Sequence, residues 1–156
     1  LNYIRSHNNY KYIIAPHEMS YCKEIIKKLD VSIYSKFNKQ EEKNILLIDN
    51  IGMLKHIYKY CSIAYVGGGF GRGIHNIIEA SANGIPVIIG PNYSKFPEAI
   101  ELIYINTVFS IQNINEFKNT INNIHDLFNR QQVLDYILER SGGVKKIIEK
   151  ISVKES

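Results

Sequence analysis

One segment, residues 65–87, constrains the fold of this 156-residue chain more than any other. It begins with a short apolar run, passes through a glycine-rich loop, and ends with Gly84, Pro86 and a second apolar run. The pattern between the two runs predicts a helix over 74–82, closed by a left-handed cap at Gly84. Two buried strands joined through a helix form a βαβ unit, which requires a parallel sheet.

The same alternation of apolar runs and helical patterns continues along the chain, and it predicts an α/β fold. We expect a Rossmann-like parallel sheet with helices on both faces. Strands are predicted at 12–15, 31–34, 45–48, 63–66, 86–89 and 107–110. Helices are predicted at 18–29, 52–60, 74–82, 96–103 and, with breaks near Asn129 and at Gly142–Gly143, over 113–150. We divide the chain into a Rossmann-like domain at 1–112 and a C-terminal helical tail of the same domain at 113–156.

The composition and the net charge of the chain argue against several classes of ligand and partner. The net charge of +4 comes from scattered lysines and arginines that form no basic arm or stripe, so we expect no nucleic-acid partner. Cys22 and Cys61 stand in apolar-periodic contexts typical of reduced core thiols. The five histidines lack the spacing of zinc ligands, and we expect neither a metal nor a cofactor. No apolar run approaches the roughly 20 residues that span a membrane, so this segment is expected to be soluble.

Polar residues follow three predicted strands, at the sheet edge where open α/β folds bind ligands. The loops concerned are 16–18, 49–53 and 67–72. In the last of them, Arg72 and the loop amides suit a phosphate, while Asn76 and Glu79 are three residues apart and suit sugar hydroxyls. This division of roles predicts a nucleotide with a ribose, or a nucleotide sugar.

Other nucleotide motifs fit poorly, and some polar residues have a second explanation. A strict Gly-x-Gly-x-x-Gly pattern is absent, and Ile74-His75 stands where a P-loop requires Lys-Ser/Thr. Asp49 and Asn50 are equally suited to capping a helix, and His17 to capping the helix that follows its turn. These alternatives remain open from the sequence.

Residues 66–92 resemble the bacterial 3-deoxy-D-manno-octulosonic acid (Kdo) transferases. These are GT-B glycosyltransferases that move Kdo from CMP-Kdo onto the lipid A precursor. The shared features are a strand, a glycine loop, an Arg-Gly-x-His-Asn-x-x-Glu helix and a Gly-x-Pro-Val-x-x-Gly-Pro continuation. Further likenesses to loops of the family occur at 15–18, 49–54 and 96–99, and the resemblance covers at least residues 13–102. The triple glycine followed by Phe70 is most similar to the Bacteroidetes branch.

The resemblance implies a role for each candidate residue. Glu79 would hold the ribose hydroxyls of CMP, while Arg72, Asn76 and the amides of the glycine loop would bind the phosphate and the Kdo carboxylate region. The loop that follows Asn50 would border the cytosine, and His17 would line the donor pocket. The implied substrate-binding residues are His17, Ile51, Gly52, Met53, Gly67, Gly68, Gly69, Arg72, His75, Asn76 and Glu79.

The family also implies parts that these residues do not supply. Its catalytic base is an acidic residue of an N-terminal domain that binds the lipid acceptor, and the donor domain has one further strand before the region matched here. We therefore expect this chain to lack the first strand of its domain, to carry no catalytic residue and to be inactive alone. The full-length protein is expected at the cytoplasmic face of the inner membrane. Two alternatives are another GT-B enzyme that uses a UDP-sugar, and a non-catalytic nucleotide-binding remnant.

Overall fold

The computed structural model describes residues 1–141. The chain divides into two compact units, Leu1–His56 and Ile57–Ser156. Each unit contains one parallel sheet of three strands. The predicted α/β class with parallel strands is therefore confirmed, but the six strands form two sheets where we expected one.

The first unit surrounds the sheet β1-β3-β2. Its elements are α1 (Asn2–Ser6), β1 (Tyr12–Ile14), α2 (Tyr21–Lys28), β2 (Ser32–Ile33), two 3-10 turns (Tyr34–Lys36 and Lys39–Glu41), β3 (Ile45–Leu47) and the start of α3 (Leu54–Ile57). β3 is the central strand, with Tyr12 of β1 opposite Ile45 and Ser32 of β2 opposite Leu46. Among the described residues, the buried side chains of its core are Cys22, Ile25, Leu29, Val31, Ile45 and Leu47, with Ile4, Tyr12, Ile14 and Ile33 packed against them.

The second unit surrounds the sheet β4-β5-β6. Its elements are a 3-10 turn (Tyr58–Tyr60), β4 (Ala64–Val66), α4 (Ile78–Ser81), β5 (Val87–Ile89), α5 (Pro97–Tyr104), β6 (Val108–Ser110), α6 (Ile114–Leu127) and α7 (Arg130–Ser141). All three residues of β5 are fully buried. A central parallel strand is covered on both faces, which explains why its sequence is a continuous apolar run.

Every predicted strand is present, and the helical region after Asn113 is interrupted near Asn129 as expected. α6 ends at Leu127 and α7 begins at Arg130, because the Asn129 side chain accepts hydrogen bonds from the backbone N–H groups of Gln131 and Gln132 (3.0 and 3.3 Å). The predicted break at Gly142–Gly143 lies outside the described residues, and so does the rest of the tail. The division at residue 112 stays a prediction.

The largest error concerns the helix predicted over 74–82, since α4 begins only at Ile78. Gly73 has φ +149°, and the N–H of His75 bonds back across the loop to the carbonyl of Gly67 (3.1 Å). Residues 74–77 therefore belong to the loop. The predicted left-handed cap after α4 is confirmed, because Gly84 has φ +65°.

Two other predicted helices are also shorter in the structure. The one expected over 18–29 is α2, which begins at Tyr21, and the one expected over 52–60 is α3 followed by a 3-10 turn.

Within residues 1–141, no helix is both long and apolar enough to cross a membrane. The same residues contain no group of three histidine, cysteine or acidic side chains arranged to hold a metal ion.

Candidate functional site

The candidate residues lie in both compact units. His17, Ile51, Gly52 and Met53 belong to the first unit, and the remaining seven belong to the second. The seven lie on or directly after the segment between β4 and α4, residues 67–77, which we call the glycine loop. Two backbone hydrogen bonds fold this loop back on itself: Gly71 N–H to the Gly68 carbonyl (2.8 Å), and His75 N–H to the Gly67 carbonyl (3.1 Å).

A second loop, residues 90–96 after β5, packs against the glycine loop, and we call it the support loop. Gly69 and Gly90 meet backbone to backbone, so that a Cβ atom at Gly69 would lie 2.7 Å from the nitrogen of Gly90. A Cβ atom at Gly73 would lie 2.9 Å from the ring of Phe96. Packing alone therefore requires glycine at position 69, which the resemblance had assigned to the ligand, and it also requires glycine at position 73.

Gly67 differs from these two glycines. A Cβ atom there would lie 3.7 Å from the nearest atom, a ring carbon of His75, which is ordinary van der Waals contact. The fold has room for a side chain at this position. Gly67 is therefore a loop glycine that packing does not explain, and close approach of a ligand remains a reason for it.

Asn76 and Glu79 lie together, as their spacing predicted. The Asn76 side chain accepts a hydrogen bond from Ile78 N–H (3.0 Å) and donates one from Nδ2 to Oε1 of Glu79 (3.1 Å). At the start of α6, Asn113 and Glu116 form the same arrangement, with Nδ2 2.9 Å from Oε1. Asn-x-x-Glu is thus a local means of starting a helix, and the pair does not by itself identify a ligand site.

Arg72 and His75, the candidates beside this pair, are exposed. The guanidinium of Arg72 forms no ion pair within residues 1–141. The ring of His75 lies next to Gly67 and Gly68. α4 begins four residues after Ile74 and has only four residues, so it offers no helix start at that position to a phosphate. Any backbone donors to an anion must come from the glycine loop itself.

Tyr58 is a neighbour of Glu79 that the sequence did not single out. The side chain is buried, and burial is the main reason why the pKa of its phenol is raised. The carboxylate of Glu79 contributes in the same direction, followed by Cys61. In the sequence, Tyr58 occupies an ordinary apolar position of a predicted helix. No local pattern indicates that it lies near Glu79.

The candidates of the first unit lie in two exposed loops. His17 follows β1, and Ile51 in the loop after β3 is 90% exposed. Gly52 has φ +87°, which favours glycine, and no atom lies within 4 Å of where its Cβ would be. Gly52 therefore shapes a turn that presents Ile51 to solvent, and Met53 behind it is half-buried.

Asp49, the first residue of that loop, connects two parts of the first unit. Its Oδ1 accepts a hydrogen bond from the N–H of Ser35 (2.9 Å), and its Oδ2 accepts one from the Ser35 hydroxyl. These bonds hold the pKa of the Asp49 carboxyl below its ordinary value, the hydroxyl contributing most. Asp49 thus fastens the end of β3 to the 3-10 turn after β2.

Replacing Ser35 with alanine is expected to raise the pKa of Asp49 toward that of a free aspartate, about 3.9. Because the pKa is lower in the folded state, the stabilisation from Asp49 is present above the unfolded-state value and is lost as pH falls through the folded-state value. An NMR titration of the Asp49 carboxyl measures the shift. Ser35→Thr, which keeps a hydroxyl, is the control, and an unchanged pKa in Ser35→Ala would contradict the assignment.

Several curated proteins of similar sequence are Kdo transferases. The 3-deoxy-D-manno-octulosonic acid transferase of Aquifex aeolicus is 34% identical over 101 residues, which cover 64% of this chain and 29% of the relative. The enzyme of the same name from Bordetella pertussis is 44% identical over 57 residues, covering 36% of this chain and 13% of the relative. The chain therefore spans less than a third of the length of these relatives. No protein-family model matches it.

A solved structure has the same fold. The crystal structure of the C-terminal CMP-Kdo binding domain of WaaA from Acinetobacter baumannii superposes with a TM-score of 0.68 at 20% identity, covering 88% of this chain and 77% of that one. The sequence relatives and the shared fold lead to one conclusion. The predicted resemblance is confirmed: in sequence this chain is similar to the 3-deoxy-D-manno-octulosonic acid transferases, and in fold to the C-terminal CMP-Kdo binding domain of WaaA.

Proposed function

We propose that the protein containing this chain transfers Kdo from CMP-Kdo to the lipid A precursor, and that this chain binds the CMP part of the donor. The observation that carries the proposal is the 34% identity to a Kdo transferase over 101 residues. The glycine loop lies within the segment that resembles the family. We place the intact protein at the cytoplasmic face of the inner membrane, where its lipid acceptor would be held by the rest of the protein.

The groups around the glycine loop suit a nucleoside monophosphate. Arg72 offers an exposed guanidinium, whose paired donors match the oxygens of a phosphate. Glu79 uses Oε1 to accept from Asn76, and a carboxylate has further acceptor sites. The acceptor sites of the Glu79 carboxylate that Asn76 does not use suit the ribose hydroxyls, which are hydrogen-bond donors.

The reaction that we propose is a displacement at the anomeric carbon of Kdo. An acceptor hydroxyl gives its proton to a general base and bonds to that carbon, while the bond from the carbon to the phosphate oxygen of CMP breaks. Negative charge develops on the leaving phosphate, where Arg72 would stabilise it. We assign no base to residues 1–141, and the resemblance places it in the N-terminal domain of the family.

Replacing Glu79 with alanine is expected to weaken CMP binding by the intact gene product about 10- to 100-fold. A hydrogen bond to a charged group contributes about 1.5–3 kcal/mol, and each 1.4 kcal/mol corresponds to a factor of ten. Isothermal titration calorimetry with CMP measures the change. Unchanged affinity would remove Glu79 from the ribose site.

Glu116→Ala is the matched control for this variant. Glu116 is a half-buried glutamate with the same asparagine partner geometry at the start of a helix, so both substitutions remove a helix-start carboxylate. Glu116 also accepts a hydrogen bond from Gln112 N–H (2.8 Å), so Glu116→Ala should cost at least as much stability as Glu79→Ala, but only Glu79→Ala should affect CMP. In the same titration the wild-type protein should prefer CMP to UDP. A preference for UDP would favour another GT-B enzyme, and binding of neither nucleotide would favour a non-catalytic role.

A further inference from the structure

We propose that Asn92 is a positioning residue of the donor site, and that it aims the backbone N–H groups of Phe70 and Arg72 at the phosphate. The proposal rests on the proposed function, because it concerns the same glycine loop. Asn92 lies in the support loop, outside the segment that suggested a ligand site, and its side chain is exposed.

Asn92 donates two hydrogen bonds to the glycine loop. Its backbone N–H bonds to the carbonyl of Gly69 at 2.9 Å, and its side-chain Nδ2 bonds to the carbonyl of Gly71 at 2.8 Å. One residue thus fixes two peptide groups that are two positions apart. The backbone contact between Gly69 and Gly90 keeps the two loops close enough for both bonds.

The fixed carbonyls determine where the next N–H groups point. In a trans peptide the C=O of one residue and the N–H of the next point in opposite directions, and no cis peptide occurs among the described residues. With the carbonyls of Gly69 and Gly71 turned toward Asn92, the N–H groups of Phe70 and Arg72 are turned away from the support loop. Neither N–H donates a hydrogen bond within residues 1–141.

Two neighbouring N–H groups that point to the same side form a concave donor site typical of anion binding. Arg72, which carries one of these donors, also has an exposed, positively charged side chain. The ligand chemistry that fits is a phosphate group. This arrangement assigns the phosphate to two particular amides of the glycine loop.

The test compares Asn92→Asp and Asn92→Ala in the intact gene product. Asn92→Asp keeps the shape and the backbone donor, but it replaces the Nδ2 donor with a carboxylate oxygen facing the Gly71 carbonyl. Each variant is expected to bind CMP about three- to tenfold more weakly, because one hydrogen bond that orders the loop is lost. The affinity for cytidine, which has no phosphate, should be unchanged. A purely structural role would weaken CMP and cytidine equally.

Asn123→Ala is the matched control. Asn123 is also exposed, and its Nδ2 also donates to a backbone carbonyl at 2.8 Å, that of Asn119 on α6. This variant should bind CMP like the wild type. Equal CMP affinity in wild type and Asn92→Asp, or an equal loss for CMP and cytidine, would overturn the proposal.

A second measurement separates this proposal from the proposed function. Inorganic phosphate titrated into the ¹⁵N-labelled protein should shift the amide signals of Phe70 and Arg72 in the wild type and much less in Asn92→Asp. If these signals move but the protein binds CMP no more tightly than other nucleotides, the proposed function fails and the role of Asn92 stands. If phosphate leaves both signals unmoved in the wild type, the role of Asn92 is wrong.

Discussion

Replacing Gly69 with alanine is expected to destabilise the second unit by about 3 kcal/mol, at the upper end of what overpacking costs. The added Cβ would lie 2.7 Å from the nitrogen and 2.8 Å from the Cα of Gly90. Both are backbone atoms of the loop that directly follows the buried strand β5, so they cannot turn aside as a flexible side chain would. Urea-induced unfolding of the wild type and the variant measures the difference.

Gly67→Ala is the control for this prediction. The same methyl group is added two residues earlier, where it would make only ordinary contact with the ring of His75. Its unfolding midpoint should stay close to that of the wild type. Equal destabilisation by the two substitutions would mean that the backbone contact between Gly69 and Gly90 is not the cause.

Replacing Leu102 with alanine is expected to cost about 2–5 kcal/mol of unfolding free energy. Leu102 lies on α5, is fully buried and belongs to the largest core cluster of the second unit. Removing its side chain leaves a cavity among β-branched neighbours such as Val87 and Val108, which have little freedom to fill it. Chemical denaturation with urea gives the value.

Leu138→Ala provides the comparison on another helix of the same unit. Leu138 lies on α7 and is 66% exposed, so its truncation should change stability by no more than about 0.5 kcal/mol. A large effect at Leu138 together with a small effect at Leu102 would contradict the described core.

The strands were predictable because burial on both faces requires apolar residues without interruption. Val87–Ile89 is the clearest case. The start of α4 was not predictable by the same means. Ile74 and Ile77 are both buried, at a spacing that also suits one face of a helix, although the chain that joins them is a loop. The spacing of hydrophobic residues indicates which side chains face the core. Here a helix and a loop would both bury Ile74 and Ile77, so the spacing does not distinguish them.

Contacts within the candidate site were predictable only where they are local. Asn76 and Glu79 are three residues apart, and the sequence predicted that they would meet. The contacts of Asn92 and of Gly90 with the glycine loop join residues about twenty positions apart, and no periodicity encodes them. The division of the strands into two sheets was not predictable for the same reason, because strand pairing joins residues that are far apart in the sequence.

The strand edges bear on how this chain would behave in concentrated solution. β1 and β2 are the outer strands of the first sheet, and β4 and β6 those of the second. None of the four contains the lysine or proline that commonly discourages further pairing, and Tyr65 on β4 is half exposed. Such edges are templates for strands from other molecules, so the solubility of this segment would depend on how completely these edges are covered in the intact protein.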